Sequence, residues 1–120
     1  MLKKTIEYVD YNGNKRKEDF YFNLTKAEIA EMELTTEGGL EKKLQRIVDA
    51  QDGPELIELF KDLILRSYGV KSDDGRRFMK NSELRQAFSE TEPYSILFVE
   101  LASSAEAAKL FVEGIIPKFD

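Results

Sequence analysis

The sequence predicts an α+β protein in which an N-terminal β-hairpin packs on a mainly α-helical body. Two observations favour this class: β-branched and aromatic residues are concentrated near the N-terminus, and later apolar residues recur at helical spacing. A chain of 120 residues can bury a core of its own. We therefore expect one domain over 1–120, with the hairpin at 1–23, about five or six helices within 24–117, and a polar loop or small hairpin at 70–80.

The first two predicted elements are the strands of the hairpin. Leu2–Val9 is rich in β-branched and aromatic residues, and Phe20–Phe22 ends a second apolar run. Asn12-Gly13 between them is the dipeptide best suited to a type I′ turn. Ile6 and Tyr8 lie on one face of the first strand, and both phenylalanines lie on one face of the second. One side of the hairpin is therefore strongly apolar and needs a cover, because an isolated hairpin is barely stable in water.

Helices are predicted after the hairpin. Thr25-Lys26-Ala27-Glu28 is a capping-box pattern, which predicts a short helix to about Leu34. Thr35–Gly39 interrupts it. A second amphipathic helix is then predicted from apolar residues at i, i+4, i+7 and i+8, namely Leu40, Leu44, Ile47 and Val48.

Pro54 suits the first turn of the next helix, which is apolar on most of its circumference and is the expected central core helix. Gly69 is expected to end it. The polar stretch from Val70 to Lys80 follows, as an exposed loop or a small second hairpin.

The C-terminal third predicts three further helices. Asn81 or Ser82 can cap a helix through Phe88, and Pro93 opens the next. A capping box at Ser103-Ser104-Ala105-Glu106 precedes the last helix, which Pro117 ends.

Histidine and cysteine are both absent from the sequence. These side chains provide most acid–base and thiolate catalysis and most zinc, haem and iron–sulfur ligands. We therefore expect no enzyme, no catalytic residues, no cofactor and no metal site. Ser72-Asp73-Asp74-Gly75 is the best candidate for a cation loop, but it lacks the alternating ligands of an EF-hand and is more typical of a surface turn.

Charge and hydropathy limit the partners and the compartment. Residues 1–17 carry a net charge of +3 and the rest of the chain carries −8. Five cations on a hairpin beside an acidic body are a poor surface for nucleic acid, so no nucleic-acid partner is expected. No stretch approaches the roughly 18 apolar residues of a membrane span. We expect a cytoplasmic protein without a membrane partner.

Candidate partner-binding residues are aromatic and basic. Five aromatic rings occur in the hairpin, more than one inner face holds, so Tyr8, Tyr11 and Tyr21 are candidates. Tyr21 alternates with its phenylalanine neighbours, and either faces a partner or covers the outer face within the domain. Arg76 and Arg77 are a candidate anion contact, although adjacent opposite charges often only solvate one another. An exposed strand edge would allow capture by β-augmentation.

Nearly the whole chain resembles the tail assembly chaperones of long-tailed phages and prophages of Gram-positive bacteria. The segments that carry the resemblance are Lys4–Tyr8, Tyr11–Asn14, Glu18–Glu28, Met32–Leu34, Glu37–Leu40, Ala50–Asp52, Phe60–Leu65, Ser67–Gly69, Lys71–Phe78 and Gly114–Pro117. The resemblance implies a non-enzymatic protein that binds the tape measure protein, keeps it soluble and helps recruit tail tube protein, in the cytoplasm of the bacterial host. Self-association is a further possibility.

Two other functional classes remain open. A head–tail connector or tail-completion protein would stay in the virion and form a closed ring of fixed stoichiometry. A small nucleic-acid-binding regulator is disfavoured by the charge distribution.

Overall fold

The computed structural model describes residues 1–35, 42 and 53–117, and it confirms the α+β class. Within that part of the chain there are four strands and five helices. Their bounds are β1 Leu2–Val9, β2 Lys15–Phe22, α1 Lys26–Thr35, α2 Gly53–Ser67, β3 Tyr68–Lys71, β4 Phe78–Met79, α3 Ser82–Ser89, α4 Glu92–Ser103 and α5 Ala105–Ile115. The helix predicted around residues 40–48 lies outside the described residues.

The four strands form one antiparallel sheet in the order β1-β2-β3-β4. β1 and β2 pair along their full length, from Leu2 opposite Phe22 to Val9 opposite Lys15. β2 and β3 pair only at Tyr21 with Gly69 and at Phe22 with Tyr68. The polar stretch after β3 turns back to form β4, so this part of the chain is a small second hairpin.

The turn of the first hairpin differs from the predicted type I′ turn. Tyr11, Asn12 and Gly13 form a three-residue loop, in which the Gly13 amide donates to the Asp10 carbonyl at 2.9 Å and Gly13 has a φ of 85°. The Asp10 carboxylate accepts the backbone amides of Asn12 and Asn14, both at 2.9 Å. This aspartate turn favours the longer loop, with the αL glycine in its third position.

The hydrophobic core lies between the inner face of the sheet and the helices. Phe22 is fully buried, and its ring contacts the rings of Tyr68, Phe88 and Phe111 at centroid distances of 5.4–5.9 Å. Tyr68 also stacks on Phe88 at 4.1 Å. Phe22 meets Phe88 and Phe111 edge-to-face, an arrangement that aromatic pairs prefer, and these contacts join strands β2 and β3 to helices α3 and α5.

The segment that leaves β2 is fixed by backbone hydrogen bonds to two helices. The Asn23 amide donates to the Ser67 carbonyl at 2.7 Å, and the Leu24 amide donates to the Ile115 carbonyl at 2.9 Å. The Lys80 ammonium donates to the Asn23 carbonyl at 2.6 Å. The last residues of α2 and α5, and Lys80 directly after β4, therefore meet at the start of the connection to α1.

The predicted end of the central helix at Gly69 is wrong. The helix ends at Ser67, and Tyr68 and Gly69 belong to β3, where they pair with β2. Ser67 is buried, and its hydroxyl donates to the Leu63 carbonyl at 2.6 Å. A side-chain hydroxyl thus satisfies a carbonyl of the last turn, and strand pairing determines the conformation of the glycine.

Three of the predicted helix starts are confirmed, and one is displaced. Thr25 and Glu28 form the reciprocal capping box, with hydrogen bonds of 2.9 and 3.1 Å, Asn81 caps α3, and Pro93 lies in the first turn of α4 behind the N-cap Thr91. The last cap is Ser104 and not Ser103. Ser103 stays in α4, where its hydroxyl donates to the Val99 carbonyl at 2.5 Å.

Replacing Gly69 with alanine tests the close approach of β3 and β4 within the second hairpin. A Cβ atom at this position would lie 2.7 Å from the Phe78 ring and 2.9 Å from the Met79 carbonyl oxygen. We expect the free energy of unfolding to fall by about 1–3 kcal/mol, because the β4 backbone must move. Urea denaturation measures the loss. The exposed Ser95→Ala variant should stay within about 0.5 kcal/mol of the parent, and an equally small effect at Gly69 would contradict the packing.

Candidate partner-binding surfaces

A groove of about 500 Å³ lies between helices α1, α2 and α3. Its apolar lining consists of Leu24 and Met32, which are buried, and Leu65, which is half-buried. Its charged lining consists of Glu28, Glu31, Asp62, Arg66 and Arg85. An apolar floor with charged walls can hold one face of an amphipathic segment while the polar face stays hydrated.

The entrance of α1 is attached to the rest of the fold by a partly buried ion pair. The Lys80 ammonium lies 2.9 Å from both carboxylate oxygens of Glu28, and Glu28 also accepts the Thr25 amide. Partial burial of Glu28 opposes its ionisation, but the hydrogen bonds from Lys80 and Thr25 prevail and lower the pKa of the carboxyl group. Glu28 is therefore a fixed anion at the groove.

Arg85 places a cation in the wall of the groove. Its Nε atom is buried and has no hydrogen-bond partner among the residues that the structure describes. A buried donor without a partner is unfavourable, because it has lost its water without gaining a protein acceptor. Because Arg85 lines the groove, its positive charge would attract a carboxylate that enters there.

The three candidate tyrosines lie in different environments. Tyr8 is half-buried on the inner face, and its hydroxyl donates to Glu18, a hydrogen bond that raises the pKa of Tyr8. Tyr11 lies in the hairpin loop with 77% of its surface exposed. Tyr21 is half-buried on the outer face, where the Lys71 ammonium lies 4.1 Å from the centre of its ring.

Arg76 and Arg77 are exposed in the turn between β3 and β4. The turn is closed by Asp74, whose carboxylate accepts the Ser72 hydroxyl at 2.7 Å and the Arg76 amide at 3.0 Å. These hydrogen bonds lower the pKa of Asp74. The serine and aspartate of the candidate cation loop therefore act as turn residues. Within residues 1–35 and 53–117, no cluster of acidic side chains has the arrangement of a metal site.

The sheet brings both hairpin loops toward the same end. β3 runs antiparallel to β2, so the turn that holds Arg76 and Arg77 points in the same direction as the loop that holds Tyr11. Tyr21 lies at the other end of β2, beside the start of β3. Sequence reasoning thus identified exposed side chains on the hairpins but missed the helical groove.

The sequence profile of the phage tail assembly chaperone family matches residues 1–119, and the chain belongs to this family. Its general role is therefore in the assembly of phage tails, with protein partners. No curated protein and no solved structure gives a significant match. None of the described helices is long and apolar enough to cross a membrane.

The Lys80–Glu28 pair predicts a pH-dependent contribution to stability. The folded-state pKa of Glu28 lies below its ordinary value of 4.5, so the contribution is present above about pH 4.5 and disappears as the pH falls through the folded-state pKa. Glu28→Gln should cost about 1 kcal/mol at pH 7, a value reduced for partial exposure. The difference from the parent should shrink as the pH falls below about 4.5 and the carboxyl group of Glu28 becomes protonated.

Urea denaturation at several pH values measures this difference, with Glu58→Gln as the matched control. Glu58 is exposed on α2, and its replacement should change stability by less than about 0.5 kcal/mol at each pH. A Glu28 effect of the same size at pH 3 and pH 7 would show that the carboxylate charge is not the cause.

Proposed function

We propose that this chain binds the tape measure protein during tail assembly, keeps it soluble and helps recruit tail tube subunits. It acts by binding and not by catalysis, in the cytoplasm of the bacterial host. Membership of the chaperone family supports the general role. The observation that supports the mode of binding is the groove between α1, α2 and α3.

The α1 wall of the groove is long enough to lie along a helical segment. A helix of ten residues such as α1 is about 15 Å long, the length of nearly three helical turns. A bound amphipathic helix would place residues at i, i+3, i+4 and i+7 against Leu24, Met32 and Leu65. Methionine adapts its shape to different apolar side chains, which suits a surface that must accept several segments of a long partner.

Charged side chains around the apolar floor would fix the orientation of a bound helix. Asp62 and Arg66 form an i, i+4 pair at 2.9 Å on one wall, and Arg85 has its unpaired Nε atom on another. An acidic side chain of a partner helix opposite Arg85 would be attracted to its positive charge. Charge complementarity of this kind improves specificity and association rate more than affinity.

The hairpin residues Tyr8, Tyr11, Tyr21, Arg76 and Arg77 are proposed as a second contact area. Tyr11 and the two arginines have the exposure that a contact residue needs. Tyr8 and Tyr21 already make contacts inside the molecule. They would contribute through the parts of their rings that stay accessible.

The alternative is a head–tail connector or tail-completion protein of the virion. A connector forms a closed ring with fixed stoichiometry in isolation and remains in the finished particle. A chaperone instead leaves the tail.

Co-expression with the tape measure protein encoded beside this chain tests the proposal. We expect the tape measure protein to become soluble and to co-purify. Leu65→Asp places a carboxylate on the apolar floor, and we expect at least about tenfold weaker capture, because that carboxylate would be buried against the partner. Glu90→Arg, outside the groove, is the control and should capture normally.

Thermal melting of each variant separates binding from folding. Leu65 is half-buried, so the folded fraction of Leu65→Asp must be confirmed; Glu31→Arg, at an exposed position of the groove, is a second test. Normal capture by both folded variants would exclude the groove as the binding site. Failure of the unmodified chain to capture the tape measure protein would favour the connector.

Tyr21→Ala tests the hairpin contact separately. We expect weaker partner capture with a small change in melting temperature, because Tyr21 lies on the outer face, where its ring contacts Lys71, and not in the buried core. Capture in the co-expression assay and melting temperature are both measured. A large fall in melting temperature with capture intact would show that Tyr21 is a structural residue.

A further inference from the structure

β1 is an edge strand whose free side has unpaired backbone groups. The Asp10 amide donates to the Asn14 carbonyl, so the pairs between β1 and β2 that exchange backbone hydrogen bonds involve the even-numbered residues of β1. The amides and carbonyls of the odd-numbered residues, Lys3, Thr5, Glu7 and Val9, point away from β2. None of them has a backbone partner within the described residues. An edge of this kind can pair with another strand.

The side chains of this edge complement a second copy of themselves. If two β1 strands meet antiparallel with Thr5 opposite Thr5, then Lys3 lies opposite Glu7 of the other copy, and Met1 lies opposite Val9. Opposite charges, paired hydroxyls and paired apolar side chains are each favourable across an antiparallel ladder. All five side chains are exposed in the single chain, and Met1 and Val9 expose 62% and 52% of their surfaces.

Only one register gives this match. A two-fold axis at Lys3 would place two lysines opposite each other, and an axis at Glu7 would place two glutamates opposite each other. Two further registers also keep odd-numbered residues opposite odd-numbered residues, but neither brings Lys3 opposite Glu7. Registers that pair odd with even residues leave backbone groups without partners, because only the odd residues point outward.

We propose that two copies of this chain associate through β1, antiparallel about Thr5, and join two four-stranded sheets into one. The contact is isologous, because each copy contributes the same strand, and it therefore closes at a dimer. The dimer uses β1 and the helices beneath it. The groove between α1, α2 and α3 lies on other elements, so this inference does not rest on the proposed function.

The helices under β1 extend the same interface. Lys4 forms an ion pair with Glu100 of α4 at 3.2 Å, and Leu2 lies against Gly114 of α5, so both helices pack beside this strand. An antiparallel extension of a sheet keeps the helices of both copies on one face of it. Exposed apolar side chains on these helices would then approach their equivalents; they are Ile96 and Val99 on α4 and Leu110 on α5.

Charge-swap variants test the dimer in the full chain. Sedimentation equilibrium over a range of protein concentrations should show a monomer–dimer equilibrium. The Lys3–Glu7 pair occurs twice in the two-fold dimer, so Lys3→Glu or Glu7→Lys alone creates two pairs of like charges. Each single variant should weaken dimerisation at least about tenfold. The double variant restores opposite charges and should return to near the affinity of the parent.

The control is Lys15→Glu, which makes the same charge change on β2, away from the free edge, and should leave the dimer unchanged. Amide exchange should show the Thr5 and Glu7 amides protected in the dimer. A protein that stays monomeric at every concentration would overturn the proposal. So would single and double charge variants that dimerise equally, or a larger assembly that these charges do not affect.

Discussion

Hydrogen bonding along residues 22–24 is the constraint on which the remaining fold depends. Phe22 ends the first hairpin with its ring fully buried, and the next two amides donate to the last residues of α2 and α5. The Asn23 carbonyl accepts Lys80, which also holds Glu28 at the start of α1. Buried backbone groups of this kind must be paired, so the sheet and the helices cannot shift independently. The shape of the groove depends on this junction, because Leu24 lines the groove.

The elements that could be predicted from the sequence are those whose signals lie within a few residues. The capping box of Thr25 and Glu28 and the cap Asn81 each satisfy amides three residues away, so the local pattern is sufficient. The errors arose where distant residues compete with the local pattern. Gly69 resembles a helix stop, yet strand pairing with Tyr21 places it inside a sheet. At the first turn, the Asp10 carboxylate selected a longer loop than Asn12-Gly13 suggests.

The candidate site could be predicted only in part, for a related reason. The count of aromatic residues on the hairpin gives Tyr8, Tyr11 and Tyr21 as candidates, and Tyr11 is indeed exposed, since it lies in the loop. It cannot show that Lys71 covers the Tyr21 ring, because that contact comes from a strand elsewhere in the chain. The groove is built from Leu24, Met32, Leu65 and Arg85, which lie far apart in sequence and meet only after folding. No periodic pattern marks such residues.

The two proposed surfaces have a joint consequence for a long partner. A dimer through β1 would present two equivalent grooves at a fixed separation. A tape measure protein with successive helical segments could occupy both grooves at once, and the second binding event would then be intramolecular. Weak contacts at each groove would give tight overall binding, yet each contact could be released separately when another protein replaces the chaperone. A chaperone that leaves the tail, as proposed for this chain, would benefit from this combination, because single strong contacts would dissociate slowly.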